Sequence, residues 1–232
     1  NSKVHIYNFG NYAISGNINT KYQVKFHNYG IMNIAGSCNN NSNVFQNEGT
    51  LNLSGNFSGN SKSRLKNYGT FNVSGSMNIN SKSILYNYCH LKVTGNLNDN
   101  YNVINESYIE VGGTLTVNGS STLNLRNASL VSTTNLMVNG TVKGQASKYS
   151  KVLISNNTTI NSSGKVQSKV DLCDADGDIV NNGQIANQVV FCEITIPADA
   201  CNPGSDGGTG GEDTDGDGVP DVDDAYPFDP ER

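Results

Sequence analysis

Tryptophan is absent, charged residues make up only 15% of the 232, and apolar residues 35%. Apolar content this low points towards disorder, but disordered chains normally carry high charge, and this one does not. No run of eighteen apolar residues occurs, so no segment reads as a membrane-spanning helix. A concentrated Lys/Arg face is missing too, which argues against a nucleic-acid binder. Strong helix formers give way to Asn, Ser and Gly, which disfavours a helical or α/β enzyme. Asparagine is what the chain has instead: its 37 copies outnumber every other residue. The net charge of −5 is unevenly spread. From Asp199 onward eleven acids face one base, Arg232, whereas the first 198 residues carry nine acids and fourteen bases.

An internal repeat organises the first 198 residues. Asn, often an aromatic, then Gly recurs at Asn8-Phe9-Gly10, Asn28-Tyr29-Gly30, Asn47-Glu48-Gly49, Asn67-Tyr68-Gly69 and Asn87-Tyr88-Cys89, spaced by 19 or 20 residues. Weaker copies begin at Asn105, Asn127, Asn156 and Asn181. A second landmark keeps phase with the first: Ser15-Gly16, Ala35-Gly36, Ser54-Gly55, Ser74-Gly75 and Thr94-Gly95. Counting from each anchor, apolar residues recur two before, four after, six after and ten after, as in Phe45, Leu51, Leu53 and Phe57. Steps of two are strand alternation with one face buried, so each repeat reads as about three short strands turned at Gly and Asn.

One repeat cannot bury its own apolar face, so repeats must stack. Twenty residues are too few for a propeller blade but suit one coil of a parallel β-solenoid. The predicted fold is therefore all-β: a β-solenoid (β-helix) over 1–198, a Gly-rich linker over 199–212 and an acidic tail over 213–232. Seven to nine coils are expected, with the anchor asparagines forming a hydrogen-bonded ladder between coils. The sequence starts inside a strand pattern, Val4-His5-Ile6-Tyr7-Asn8. Open strand edges pair with other chains, so an upstream segment or a partner is expected to cover this one. The lack of a signal peptide fits a processed mature protein.

The anchors, the Ser-Gly landmarks and stretches such as Asn67 to Gly75 resemble Asn/Gly-rich β-helical surface proteins of Bacteroidetes-type bacteria. The segment from Asp213 to Asp224, reading DTDGDGVPDVDD, is similar to a thrombospondin type 3 calcium repeat. Ala225 to Arg232 resembles the stretch leading into an LruC-type domain of bacterial envelope proteins, a domain this chain lacks. These resemblances imply secretion, calcium and a surface or matrix role, and no reaction. Chemistry argues independently for Ca2+. A hard cation takes six to eight oxygens, and acids at alternate positions of a Gly-kinked loop converge. Asp213, Asp215, Asp217, the Val219 carbonyl, Asp221 and Asp224 supply that number, and the type 3 resemblance assigns the same positions. With the ion bound, Pro220, Pro227 and Pro230 would stiffen the tail.

Other clusters read as structural first. Asp171, Asp174, Asp176 and Asp178 repeat the Asp-x-Asp-Gly-Asp kernel without later ligands, and a turn between strands is the favoured reading over a metal site. Five cysteines point to an oxidising compartment. Cys38 falls on a core position, and Cys89 lies too many coils away to bridge it. Cys173, Cys192 and Cys201 gather near the end of the repeats, where one disulfide, Cys173–Cys192 first among the choices, would staple an irregular last coil. Catalysis is not expected. The outward stripe before the anchor (Tyr7, His27, Gln46, Lys66, Tyr86, Ile104, Arg126) holds no pair of carboxylates, and no nucleophile motif appears. Tyr29, Tyr68 and Tyr88 are candidate glycan-facing rings, although equivalent aromatics on successive coils stack with or without a ligand.

The expected function is that of a secreted structural protein, a calcium-stabilised subunit of a cell-surface or extracellular fibre or adhesin that self-associates head to tail. The alternative is a carbohydrate-binding adhesin or a polysaccharide-active β-helix module. A third reading is a passenger stalk for a missing C-terminal domain.

Overall fold

A computed structural model describes residues 4–20, 24–41, 43–80, 82–175, 177–186 and 190–191. All of them belong to the first of the chain's two units, Asn1–Ile196. That unit is a parallel β-solenoid of about nine turns with roughly 20 residues per coil.

Each coil contributes three short strands, and equivalent strands of successive coils pair in parallel. The first face is a ten-stranded sheet running from Val4–Asn8 through Val24–Asn28, Val44–Asn47, Arg64–Asn67 and Ile84–Asn87 to Gln184–Ile185. The second face begins with Asn11–Ile14 and Ile31–Ile34, the third with Ile18–Thr20 and Cys38–Asn41. In Tyr108–Val117 and Leu130–Val138 one long strand bends through both of these faces. The register shift after Val111, at Gly112 and Gly113, marks the bend.

Register puts like on like. Phe26, Phe45, Leu65, Leu85, Val103 and Leu123 form one inward column. Met32, Leu51, Phe71, Leu91 and Ile109 form another, and Cys38, Phe57, Met77, Leu97 and Leu115 a third. These columns merge into a single buried core. Each fully buried Leu, Phe or Met contributes roughly 1.5–3 kcal/mol, so an apolar content of one third suffices when nearly all of it faces inward. Cys38 lies in this core as a buried free thiol, its pKa pushed up to about 12 by burial. No proline occurs before Pro197. In coils paired on both sides, a residue without an N–H would break a ladder.

The anchor asparagines form the expected ladder. Asn8, Asn28, Asn47, Asn67 and Asn87 each donate a side-chain N–H to the Oδ1 of the next anchor, at 2.7, 2.7, 2.8, 2.9 and 2.8 Å, ending at Asn105. The same Nδ2 atoms reach a backbone carbonyl of the next coil, for example Asn67 to His90 at 2.9 Å. Outward ladders add to this: Asn72 to Asn52 to Asn33, and Asn118 to Asn100 to Asn80 to Asn60. Their donors point towards earlier coils, whereas the inner ladder donates towards later ones.

Past Asn105 the sequence phase slips. The ladder pairs Asn105 with Leu125, and Leu123 joins the apolar column beside Val103. Asn127 is therefore not an anchor; it sits in a left-handed turn with φ 54°. Asn181 stacks on Ile160 in the third face, and Asn156 follows a second-face strand. The expected anchors at these three positions are thus corrected. Asn105 keeps the two corner bonds that Asn47 and Asn87 also make, here to the carbonyls of Ser107 and Leu130, and only the ladder bond stops, because Leu125 offers no acceptor.

Glycine at the anchor corner reflects close approach between coils. A Cβ on Gly49 would lie 2.1 Å from the Gly30 carbonyl oxygen, and one on Gly69 would lie 2.2 Å from that of Gly49. Gly10, in the first coil, has open space instead.

Asn67→Ala tests the ladder. It removes three side-chain hydrogen bonds at a fully buried site and leaves Asn87 Oδ1 without its donor. The expected loss is about 2–4 kcal/mol in denaturant unfolding. An unchanged midpoint would show that the ladder contributes nothing net.

Candidate functional site

The corner after each anchor brings one side chain per coil to the surface. Backbone N–H groups of Tyr29, Glu48, Tyr68, Tyr88, Glu106 and Arg126 donate to the anchor-column carbonyls of the coil before, from Asn8 to Asn105. The column thus reads Phe9, Tyr29, Glu48, Tyr68, Tyr88, Glu106, Arg126. Arg126 belongs here and not in the outward stripe before the anchor, where Asn124 pairs with Ile104 instead. Its guanidinium lies 3.3 Å from the Glu106 carboxylate.

The rings of this column stack in pairs. Phe9 and Tyr29 have centroids 4.9 Å apart and planes 3° from parallel; Tyr68 and Tyr88 are 4.6 Å and 5°. Tyr7 and His27 stack beside the first pair at 5.1 Å. Glu48 separates the two pairs, so Tyr29, Tyr68 and Tyr88 do not form one continuous platform. Burial, and then the nearby Glu48 carboxylate, push the Tyr29 phenol up to about 12. A pyranose packs against a ring face, and each of these rings gives one face to its partner. What the corner offers a ligand is therefore mostly ring edges.

The other candidates are placed as follows. Asp174 accepts hydrogen bonds from the Thr158 hydroxyl and, at 3.3 Å, from the Gly177 N–H. Gly177 has φ 75°, so Asp174 organises the turn that the Asp-x-Asp-Gly-Asp kernel suggested. Asp171 projects outward beside Lys151, its carboxyl raised by burial against the opposing pull of that lysine. Among the described residues no group of three His, Cys, Asp or Glu is arranged to hold a metal. Cys173 is buried, and the pairing of Asp171–Leu172 with Val190–Phe191 stops one residue short of Cys192. Cys192, Cys201 and the calcium set Asp213, Asp215, Asp217, Val219, Asp221 and Asp224 lie outside the described residues.

No protein-family model, no curated protein and no solved structure matches this chain.

Two features escaped the sequence reading. One is a second corner ladder in which Asn17, Asn56 and Asn96 accept through Oδ1, and Ser37 and Ser76 through Oγ, each from the backbone N–H of the next coil. The alternation of Asn and Ser after each Ser-Gly landmark was its visible signal. The other is Asp99, fully buried in the third face, stacked between Ile79 and Val117. Its Oδ1 accepts from the Tyr101 N–H at 3.1 Å, but Oδ2 has no partner. Burial raises its pKa to about 7, against the opposing pull of backbone N–H bonds from Tyr101 and Val103. Its neighbours in the column, from Ile79 to Ile160, are apolar, polar Thr20 and Asn40 lying only in earlier coils and Asn181 in a later one.

Two measurements follow from this geometry. An acid whose folded pKa is raised binds its proton more tightly when folded, so stability falls as pH rises from about 4 to about 7. Asp99→Asn should therefore raise the unfolding midpoint at pH 8 and give little gain at pH 4. Equal gains at both would show that Asp99 is not titrating in the fold. Tyr68→Ala should cost about 0.5–1.5 kcal/mol through the lost Tyr88 stack. Full stability combined with abolished glycan retention would instead assign the ring to a ligand.

Proposed function

We propose that the protein is a structural subunit of an extracellular or cell-surface fibre, built by β-coil stacking between copies. The observation that carries this reading is the register-matched stack, in which equivalent strands of successive coils pair in parallel and like residues meet like. Ile6 and Tyr12 occupy columns that are core everywhere else, yet they are 41% and 55% exposed, against 4% for Phe26 and none for Met32 one coil on. Val4 and Phe9 are exposed beside them. Val4–Asn8, Asn11–Ile14 and Ile18–Thr20 each pair on one side only among the described residues. An apolar coil face of this kind is covered when a further strand layer, of this chain or of another copy, stacks on it.

A contact between the first coil of one copy and a different surface of the next is heterologous, and heterologous contacts that do not close produce filaments. In this reading the protein works outside the cell, and Ca2+ on Asp213, Asp215, Asp217, the Val219 carbonyl, Asp221 and Asp224 orders the tail. Support for the calcium part comes from residue spacing alone. The glycan-binding alternative draws on the exposed rings and is weakened by their mutual stacking.

Electron microscopy of the purified chain, with calcium and after chelation, tests the proposal. Long fibres that shorten or come apart on chelation are expected. Isolated particles in both conditions would overturn it.

A further inference from the structure

The outward side of the first face has a charge pattern the rest of the solenoid lacks. Register from Val4–Asn8 to Gln184–Ile185 assigns every outward position of the ten strands. These positions include Lys25, Arg64, Lys66, Lys143 and Lys165, with His5 and His27, and not one Asp or Glu. The acids of the described coils stand elsewhere, at the anchor corner (Glu48, Glu106), on the other two faces (Asp99, Glu110, Asp171, Asp174) or just before the strand Ile179–Asn181 (Asp178).

Among the described residues no ion pair involves the cations of this face: Lys92 pairs with Glu110 and Arg126 with Glu106, both away from it. Lys25 and Arg64 are exposed and share one column two coils apart, roughly 10 Å by the strand spacing. His27 senses the shared field: burial first, then Lys25, His5 and Lys66, lower its pKa. No two of the Lys and Arg side chains face each other across neighbouring strands, but five of them on four of the ten strands, without one compensating acid, make a surface that a polyanion would relieve.

The chain carries its own polyanion. Residues 199–231 hold eleven acids and no base. Extended at about 3.3 Å per residue, that segment is longer than ten strands at about 4.8 Å spacing. We propose that the acid-free first face of one copy binds the acidic segment 199–231 of a second copy, making the connector of the fibre. This inference rests on the fibre reading. It assigns the growth contact to charge on the first face, next to the apolar coil end.

The test uses the full chain, half of it ¹⁵N-labelled, in low-salt buffer containing calcium with a zero-length carbodiimide crosslinker, followed by mass spectrometry. Expected are mixed-isotope links from Lys25, Lys66, Lys143 or Lys165 to acids within 199–231, lost at about 0.5 M salt, where the Debye length falls to a few ångströms. Same-isotope links alone, links only to lysines off the face such as Lys62 or Lys92, or no links would overturn the proposal. Lys25→Glu/Arg64→Glu/Lys66→Glu should weaken self-association by at least roughly tenfold with unchanged β-sheet circular dichroism. Should that variant fail to fold, the links in the parent protein still decide. Fibres without these links would leave the fibre reading standing and remove this surface; mixed links without fibres would do the reverse.

Discussion

Every feature of this protein depends on coils stacking in register about 4.8 Å apart, the distance set by backbone hydrogen bonds between parallel strands. At that spacing any side chain meets its equivalent in the next coil, so identity along a column decides whether the column holds. Asparagine suits an inward column because its amide both donates and accepts, and can pass a hydrogen bond from coil to coil without an unpaired group. The ladder from Asn8 to Asn105 uses this property, and each Nδ2 has protons left for a carbonyl at the corner. Apolar columns gain from the same repetition, since shapes that match themselves pack without gaps.

The same constraint explains the departures. Where a residue cannot repeat, its column ends with a local substitute. At Asn105 the amide keeps its two corner carbonyls while Leu125 continues the column. The outward Asn33–Asn52–Asn72 column passes to Lys92, which pairs with Glu110 at 2.9 Å. Cys89 occupies a glycine corner, where the His90 N–H to Gly69 carbonyl distance is 3.2 Å. Asp99 has no such substitute. It is a lone acid between Ile79 and Val117, and the fold tolerates it by favouring the protonated form. Surface columns follow the rule less strictly because water can complete their bonds. That freedom is what allows one face to accumulate cations and one corner to accumulate rings.

The interior of the solenoid is filled by its own repeats, and its surface is a set of ladders. Among the described residues the first coil shows exposed Ile6 and Tyr12, and the outward side of the first face shows cations and no acid.

The sequence alone determined the repeat, the strand class, the parallel stack, the anchor ladder and the apolar columns of the first six coils. These depend on local alternation and a fixed period, which can be read without coordinates. It did not determine the register after Asn105, because slips of two residues leave alternation intact and only pairing across coils exposes them. Nor did it reveal that Glu48 splits the aromatic column, that the Asn/Ser corner carries hydrogen bonds, or that Asp99 lies inside with one carboxylate oxygen unpaired. Those properties belong to neighbours some 20 residues apart in the chain, and only stacking brings them into contact. The acid-free face is of the same kind: its residues are scattered singly along the sequence, and the coil gathers them onto one side.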